Sequence, residues 1–194
     1  MGSTRSSRDC EEISFSSKYC VKELLGEGAT SSVHRIEDIN TGESFACKII
    51  KIDEDTIDTD GLTVTEKTLK EIKILKLVGG HENVIRFHGY FQTARTFYLI
   101  FEYCPAGELF DVLQACGALQ EDKAAQYFSQ LCLAVRHCHT LGVVHRDVKL
   151  ENVLIGEDGK IRLTDFGYAE ILRPGERLYG ICGTAKYLAP EVWK

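Results

Sequence analysis

Beyond residue 18 the apolar positions of this chain follow two spacings. In YCVKELLGEG, SSVHRIED and ESFACKIIK they come at short, mostly alternating intervals among β-branched and aromatic residues, the pattern of strands that bury one face. Asn40-Thr41-Gly42 separates the last two runs as a turn, so three antiparallel strands are predicted. In VTEKTLKEIKILKLV the interval changes: Leu69, Ile72, Leu75 and Val78 recur at helical spacing, and Gly79-Gly80 ends the helix. VIRFHGY and TFYLIFEY return to the strand pattern, and Cys104-Pro105-Ala106-Gly107 reads as a joint. A second helix is predicted from Glu121 to Leu141, with Ala124, Tyr127, Phe128, Leu131, Val135 and Cys138 as its apolar stripe. NVLIG and KIRLTD then flank Glu157-Asp158-Gly159, a hairpin turn signal. The prediction is an α+β fold: a five-stranded antiparallel lobe with one main helix over residues 19–103, then a mainly helical lobe over 104–194. Residues 1–18 are polar and serine-rich with no sustained period, and are expected to form a disordered tail outside the core.

Composition narrows the function classes. Of 194 residues 44% are hydrophobic and 27% charged, which excludes a wholly disordered chain. With 23 basic against 29 acidic residues the formal charge is -6, so there is no global basic footprint for nucleic acid, and basic peptides are the expected partners. No apolar run approaches the ~20 residues of a membrane helix and no secretory leader opens the chain, so a cytoplasmic location is expected. Met1-Gly2 with Ser6 fits the myristoylation pattern, with Cys10 as a second acyl site; membrane contact is expected only if the chain is acylated. The eight cysteines stand singly, and His137-Cys138-His139 with His145 lacks the paired spacing of a zinc site. An acidic stretch from Asp53 to Gly61 fails as a calcium loop, because counting back from Gly61 puts Thr56 at the first position and Lys67 at the twelfth. It reads as a solvated connection.

Gly26-Glu27-Gly28, between two strands, is a weak signal alone. A dinucleotide fingerprint is disfavoured because a strand follows and Ser31 occupies the third glycine position; a hairpin whose amides close over phosphates stays open. The informative run lies later: His145-Arg146-Asp147-Val148-Lys149-Leu150-Glu151-Asn152, then Asp165-Phe166-Gly167, then Ala189-Pro190-Glu191. Eleven specified residues in this order arise by chance about once in 10^14 placements, at roughly one in twenty per residue type. In these motifs the sequence resembles the eukaryotic protein kinase catalytic domain, from about Tyr19 to the last residue. LGEGATSSV with its serine for glycine, GELFDVL, and LTDFGYAEILRPGERL with CGT downstream are most similar to the calcium/calmodulin-dependent group, and there to the phosphorylase kinase gamma type of catalytic subunit.

The resemblance implies a bilobal protein-kinase-like fold and an ATP-dependent serine/threonine kinase core that uses Mg2+ and transfers the γ-phosphoryl group to protein substrates. That transition state is loose and charge-spread, so it calls for residues that position and neutralise. By the resemblance, Asp147 accepts or orients the hydroxyl proton, Lys149 neutralises the γ-phosphate, and Asn152 and Asp165 supply oxygen ligands for Mg2+. Lys48, at the end of the third strand, holds the α/β-phosphates with Glu71 as its helix partner. Leu25, Val33, Ala46 and Leu154 wall the base, Gly26, Glu27 and Gly28 cover the phosphates, and Phe101 is the gatekeeper. Glu102 to Cys104 supply hinge backbone, and Glu108 binds ribose. Lys149 favours Ser/Thr acceptors, while Glu108 and Glu151 stand where related kinases recognise basic residues upstream of the acceptor. Thr184 helps shape the pocket just after it, and regulatory subunits are further candidate partners.

Three departures from the family pattern bear on function. Leu150 replaces the proline usual in the catalytic loop and Ala185-Lys186 replace a proline-containing pair, which loosens backbone restraint. Gly180 stands where many kinases carry a phosphorylated residue, so Arg146 requires Tyr179, a neighbouring acid such as Glu176, or packing alone. The chain reaches Lys194 three residues after Glu191, where the family continues through further helices. The apolar face of the Glu121–Leu141 helix is therefore expected to lack cover, and the alternative reading is a nucleotide-binding or regulatory fragment with little transferase activity.

Overall fold

Alternation puts Phe45 and Cys47 on one face of the third strand and Ala46, Lys48 and Ile50 on the other. The computed structural model describes residues 14–28, 30–53, 61–173, 175–180 and 182–192. It opens with a short helix α1 (Phe15–Lys18), followed by β1 (Tyr19–Glu27), β2 (Ser31–Asp38), β3 (Ser44–Lys51), the helix α2 (Val64–Val78), β4 (Phe87–Gln92) and β5 (Thr96–Glu102). The five strands pair antiparallel in the order β1-β2-β3-β5-β4. Asp38 closes the predicted β2–β3 turn: its Oδ1 accepts from the amides of Asn40 and Thr41 at 2.9 and 3.2 Å. Phe45 and Cys47 pack with Tyr19, Ile36 and Ile100, whereas Ile50 and Ala46 face the cluster that holds Ile72, Leu75 and Val78 of α2. Lys48 thus shares a face with residues that meet α2.

A capping box fixes the start of α2. Glu66 N donates to Thr63 Oγ1 at 3.2 Å and Thr63 N donates to Glu66 Oε2 at 2.9 Å, supplying partners that the first turn lacks. The inner side of α2 carries Glu71, 6% exposed, beside Ile72, Ile74, Leu75 and Val78. Leu69, expected on this stripe, is 44% exposed, because the buried face is centred on Glu71 and Leu75 and leaves it outside.

The second lobe contains α3 (Leu109–Cys116), α4 (Glu121–Thr140) and the hairpin of β7 (Val153–Ile155) with β8 (Ile161–Leu163), and β6 (Val143–Val144) pairs with β9 (Glu170–Ile171). One core joins the lobes: Ala134, Cys138, Val143, Leu163 and Phe166 belong to the same buried cluster as Ile72, Leu75, Leu99 and Phe101. Tyr127, Ala134 and Cys138 of α4 are buried, while Phe128 is 68% exposed at a groove shared with Leu131, Cys132, Val135 and Val148. No helix among the described residues is long and apolar enough to cross a membrane.

Two expectations change. Ser14–Lys18 are part of the fold, not tail: Ser14 Oγ accepts from Ser17 N at 3.3 Å, and Phe15 stacks on Tyr98 with ring centroids 4.1 Å apart. One aromatic anchor in a polar stretch has no period to reveal it; residues 1–13 lie outside the described residues. Second, β4 begins only at Phe87, and Val84-Ile85, both buried, join β8 instead, with Ile85 N donating to Leu163 O at 2.9 Å. A buried apolar pair suits either sheet, so spacing does not select its partner. Of the acidic stretch, residues 54–60 lie outside the described residues.

Candidate active site

Lys48 leaves the inner face of β3, Glu71 leaves the inner face of α2, and their charged ends meet with Nζ and Oε1 2.8 Å apart. The same ammonium stands 3.4 Å from Asp165 Oδ1. Burial lowers the proton affinity of Lys48, but the carboxylates of Glu71 and Asp165 outweigh it and raise its pKa above the ordinary lysine value. The ammonium is therefore charged at neutral pH, and loss of Glu71 would leave it poorly compensated.

Asp147, on the loop after β6, is 4% exposed and is saturated with donors. Its Oδ1 accepts from Thr184 N and Thr184 Oγ1, both at 2.8 Å, and its Oδ2 from Asn152 Nδ2 at 3.0 Å and Lys149 Nζ at 2.9 Å. Lys149 Nζ also donates to Thr184 Oγ1 at 2.9 Å. Burial alone would raise the Asp147 carboxyl; Lys149 and Thr184 reverse this and hold it below the usual aspartate range.

The loop backbone is set by His145. Asp147 N donates to His145 Nδ1 at 3.3 Å, which assigns the ring proton to Nε2, and Nε2 donates to Thr164 O at 2.9 Å. Burial lowers the pKa of this imidazole, in keeping with the neutral tautomer. Its ring meets the fully buried Phe166 edge-on at 4.8 Å. Among the described non-glycine residues only Arg146 and Asp165 have positive φ, at 70° and 59°. Each such conformation costs about 1–2 kcal/mol, which the surrounding network must offset. Gly183 also has a positive φ of 93°, and a Cβ there would stand 2.5 Å from the Arg146 carbonyl oxygen. The segment that carries Thr184 thus rests directly on the backbone of the loop after β6.

Asn152 Nδ2 is committed to the carbonyl and Oδ2 of Asp147, at 2.9 and 3.0 Å, which leaves the lone pairs of its amide oxygen to ligate a cation. Thr164 N donates to Asn152 O at 3.0 Å and so fixes Asp165 near Asn152. One carboxylate and one amide oxygen fit Mg2+, a hard ion that takes few protein ligands and completes its shell with phosphate and water. Among the described residues no cluster of three His, Cys, Asp or Glu side chains could hold a metal alone.

These contacts reunite residues scattered over most of the chain, and comparison with known proteins gives the arrangement its family. Residues 19–194 match the family model of the protein kinase domain. The chain belongs to the protein kinase family. This kinase is 38% identical over 181 residues to the phosphorylase b kinase gamma catalytic chain, liver/testis isoform, of Rattus norvegicus, across 93% of this chain and 45% of that protein. It is 36% identical over 174 residues to the serine/threonine-protein kinase PEPKR2 of Arabidopsis thaliana, covering 90% of this chain and 35% of the relative. With the death-associated protein kinase dapk-1 of Caenorhabditis elegans it shares 35% identity over 184 residues, 94% of this chain and 13% of that protein. The chain spans less than half the length of these relatives. They bear out the serine/threonine type of the core and its likeness to the phosphorylase kinase gamma and calcium/calmodulin-dependent groups.

Of the residues expected to wall the base, Val33, Ala46 and Leu154 are half-buried, Leu25 is exposed, and Ala46 pairs in register with the buried Phe101. Gly26 pairs with Val33, Glu27 with Ser32, and Gly28 N donates to Ser31 O at 2.8 Å, which tightens the β1–β2 end. The Glu102 side chain is taken up elsewhere, accepting from Arg162 Nε at 3.1 Å and Arg86 N at 2.7 Å, which leaves its backbone for the expected hinge role. Burial pushes the neighbouring Cys104 thiol up to about 12. Glu108 bridges to Leu154 on β7; burial, then Asp111 and Glu151, raise its carboxyl above the usual range.

The partner of Arg146 is neither the Tyr179 side chain nor Glu176. Its Nη2 donates to the carbonyls of Gly180 at 3.0 Å and Tyr179 at 3.4 Å, and its Nη1 lies 3.7 Å from Glu170 Oε1. Tyr179 is 83% exposed, and Glu176 accepts from Arg173 N at 2.9 Å. Glu170 carries no local sequence signal, since only the β6–β9 pairing brings it to the catalytic loop.

Proposed function

We propose that this kinase transfers the γ-phosphoryl group of ATP to a serine or threonine hydroxyl of a protein substrate. The observation that carries the reading is the ionised Asp147 carboxylate, ringed by Lys149, Asn152 and Thr184. The Lys48–Glu71–Asp165 cluster lies in the same cleft, and Asp165 and Lys149 are close enough to interact electrostatically.

A bound Mg2+ would neutralise charge on the terminal phosphates, and Asp165 with the Asn152 amide oxygen would hold it. Lys48, kept charged by Glu71, meets the nucleotide's inner phosphates as a fixed cation. Asp147 accepts the hydrogen bond of the incoming hydroxyl and aligns its oxygen for in-line attack. Its lone-pair directions are already filled by Thr184, Asn152 and Lys149, so the hydroxyl enters by displacing one donor. Lys149 is the donor with reason to leave, because its ammonium gains more from a phosphoryl oxygen. Toward the acceptor's flank, the Glu151 carboxylate is hydrogen-bonded to the Tyr187 side chain while its Oε2 is buried without a partner, and it contributes to the raised carboxyl of Glu108. An unpaired carboxylate oxygen suits a guanidinium, which supports a preference for arginine upstream of the acceptor. A cytoplasmic location belongs to the same proposal.

Calorimetry with MgATP, paired with phosphorylation of an arginine-bearing serine peptide and its alanine counterpart, tests the reading. Binding with turnover that falls on loss of the arginines supports it. MgATP binding without phosphopeptide would leave only the nucleotide-binding fragment, and equal turnover of both peptides would remove the basic preference.

A further inference from the structure

Glu170, at the start of β9, lies between two cations from different lobes. Lys70 of α2 pairs with its Oε1, and Arg146 Nη1 stands 3.7 Å from the same oxygen. Lys70 immediately precedes Glu71, the partner of Lys48, and Arg146 immediately precedes Asp147. All three groups are partly shielded, with side-chain exposures of 34, 32 and 16% for Lys70, Glu170 and Arg146.

The carbonyls of Tyr179 and Gly180 offer the Arg146 guanidinium dipoles but no counter-charge. Among the described residues Glu170 is the carboxylate within ion-pair distance of Arg146. We propose that Glu170 is a positioning residue whose fixed charge couples α2 to the catalytic loop and makes phosphorylation of the segment over Arg146 unnecessary. A shift of α2 away from the cleft withdraws Lys70 from Glu170 and Glu71 from Lys48 together. Loss of the Glu170 charge leaves Arg146 holding the backbone at Tyr179 and Gly180 with no anion behind it.

This inference rests on the transferase reading for one of its two arms. The nucleotide arm is independent of it. In Glu170→Gln, MgATP affinity weakens about three- to tenfold and kcat falls about 10- to 30-fold, the scale of a lost charge-assisted contact, while the melting temperature stays close to wild type. Glu170→Asp, which keeps the charge, recovers most of both. In the exchange Lys70→Glu with Glu170→Lys, the link to α2 returns with its sign inverted while Arg146 faces a cation. MgATP affinity then returns to within about twofold of wild type and kcat stays depressed about tenfold.

A purely structural role would move both readouts together, so parallel recovery or parallel loss in the exchange variant overturns the proposal. Unchanged affinity and kcat in Glu170→Gln overturns it as well. Phosphatase-treated wild type, its mass confirmed as unmodified, keeps its kcat; loss of activity on that treatment contradicts the claim that no phosphate is needed. Should wild type transfer nothing, the transferase reading fails, and the affinity series still decides the Lys70–Glu170 link.

Discussion

Replacing Gly183 by alanine adds one methyl group in a place where the backbone leaves no room. The new Cβ would lie 2.5 Å from Arg146 O and 3.4 Å from both Asp147 Oδ1 and Leu188 Cδ2, at a residue with φ of 93°. The segment must lift by at least about half an ångström, and the two 2.8 Å bonds from Thr184 to Asp147 Oδ1 stretch toward the limit of hydrogen bonding. Complete loss of two bonds to a charged acceptor would forfeit about 3–6 kcal/mol. Partial relaxation of the loop puts the expected loss at about 2–3 kcal/mol, a fall in kcat of about 30- to 150-fold. Steady-state peptide phosphorylation with both substrates varied is the assay. KM for MgATP should change less than about threefold, because Lys48, Glu71 and Ala46 belong to the other lobe. Thr184→Ala, which loses the hydroxyl but keeps the amide, should fall between Gly183→Ala and wild type. A Gly183→Ala enzyme with wild-type kcat, or one whose defect lies wholly in KM for MgATP, would refute the reasoning.

Glu71→Gln should weaken MgATP binding about tenfold by calorimetry and lower thermal stability, because the shielded Lys48 keeps only Asp165, at 3.4 Å. Stability should also depend on pH through His145, whose folded pKa lies below its free value of 6.5, so that protonation favours unfolding. Its contribution is intact above pH 6.5 and declines as pH falls below that value; a melting-temperature series from pH 8 to 4 in wild type and His145→Gln should show a shallower early decline in the variant. His81 and His88 are lowered too, first by burial, so part of that slope persists. Asp147, depressed below its free value of 3.8, adds stability above that pH and loses it only as pH falls through its lower folded value. Phe15→Ala should destabilise the first sheet by about 1–2 kcal/mol in denaturant titrations, through loss of the stack on Tyr98.

Much of this site is legible in the sequence because its residues sit where local periodicity already fixes direction. Lys48 follows from the alternation of β3 and Glu71 from the buried face of α2, so naming the two elements nearly names the ion pair. Asp147, Lys149 and Asn152 lie within six residues of one another and need no long-range folding to be recognised. What the sequence hides is contact made by distant pairing. Glu170 reaches Arg146 only when β9 joins β6, and Lys70 meets Glu170 across 100 residues. Val84-Ile85 joins β8, and not the strand it precedes, because burial marks an apolar pair as internal without choosing its neighbour. Phe15 is a single aromatic in a serine-rich stretch, where hydrophobic spacing has nothing to repeat.

The account turns on Asp147 meeting the acceptor hydroxyl while the opposite cluster holds the nucleotide. The direct measurement is transfer of label from γ-phosphate-labelled ATP to a serine or threonine peptide, wild type against Asp147→Asn, at saturating concentrations of both substrates. The account predicts label on the peptide hydroxyl, a kcat lowered at least about a thousandfold in the variant, and MgATP affinity within about threefold of wild type. Transfer by Asp147→Asn within about tenfold of wild type would contradict it.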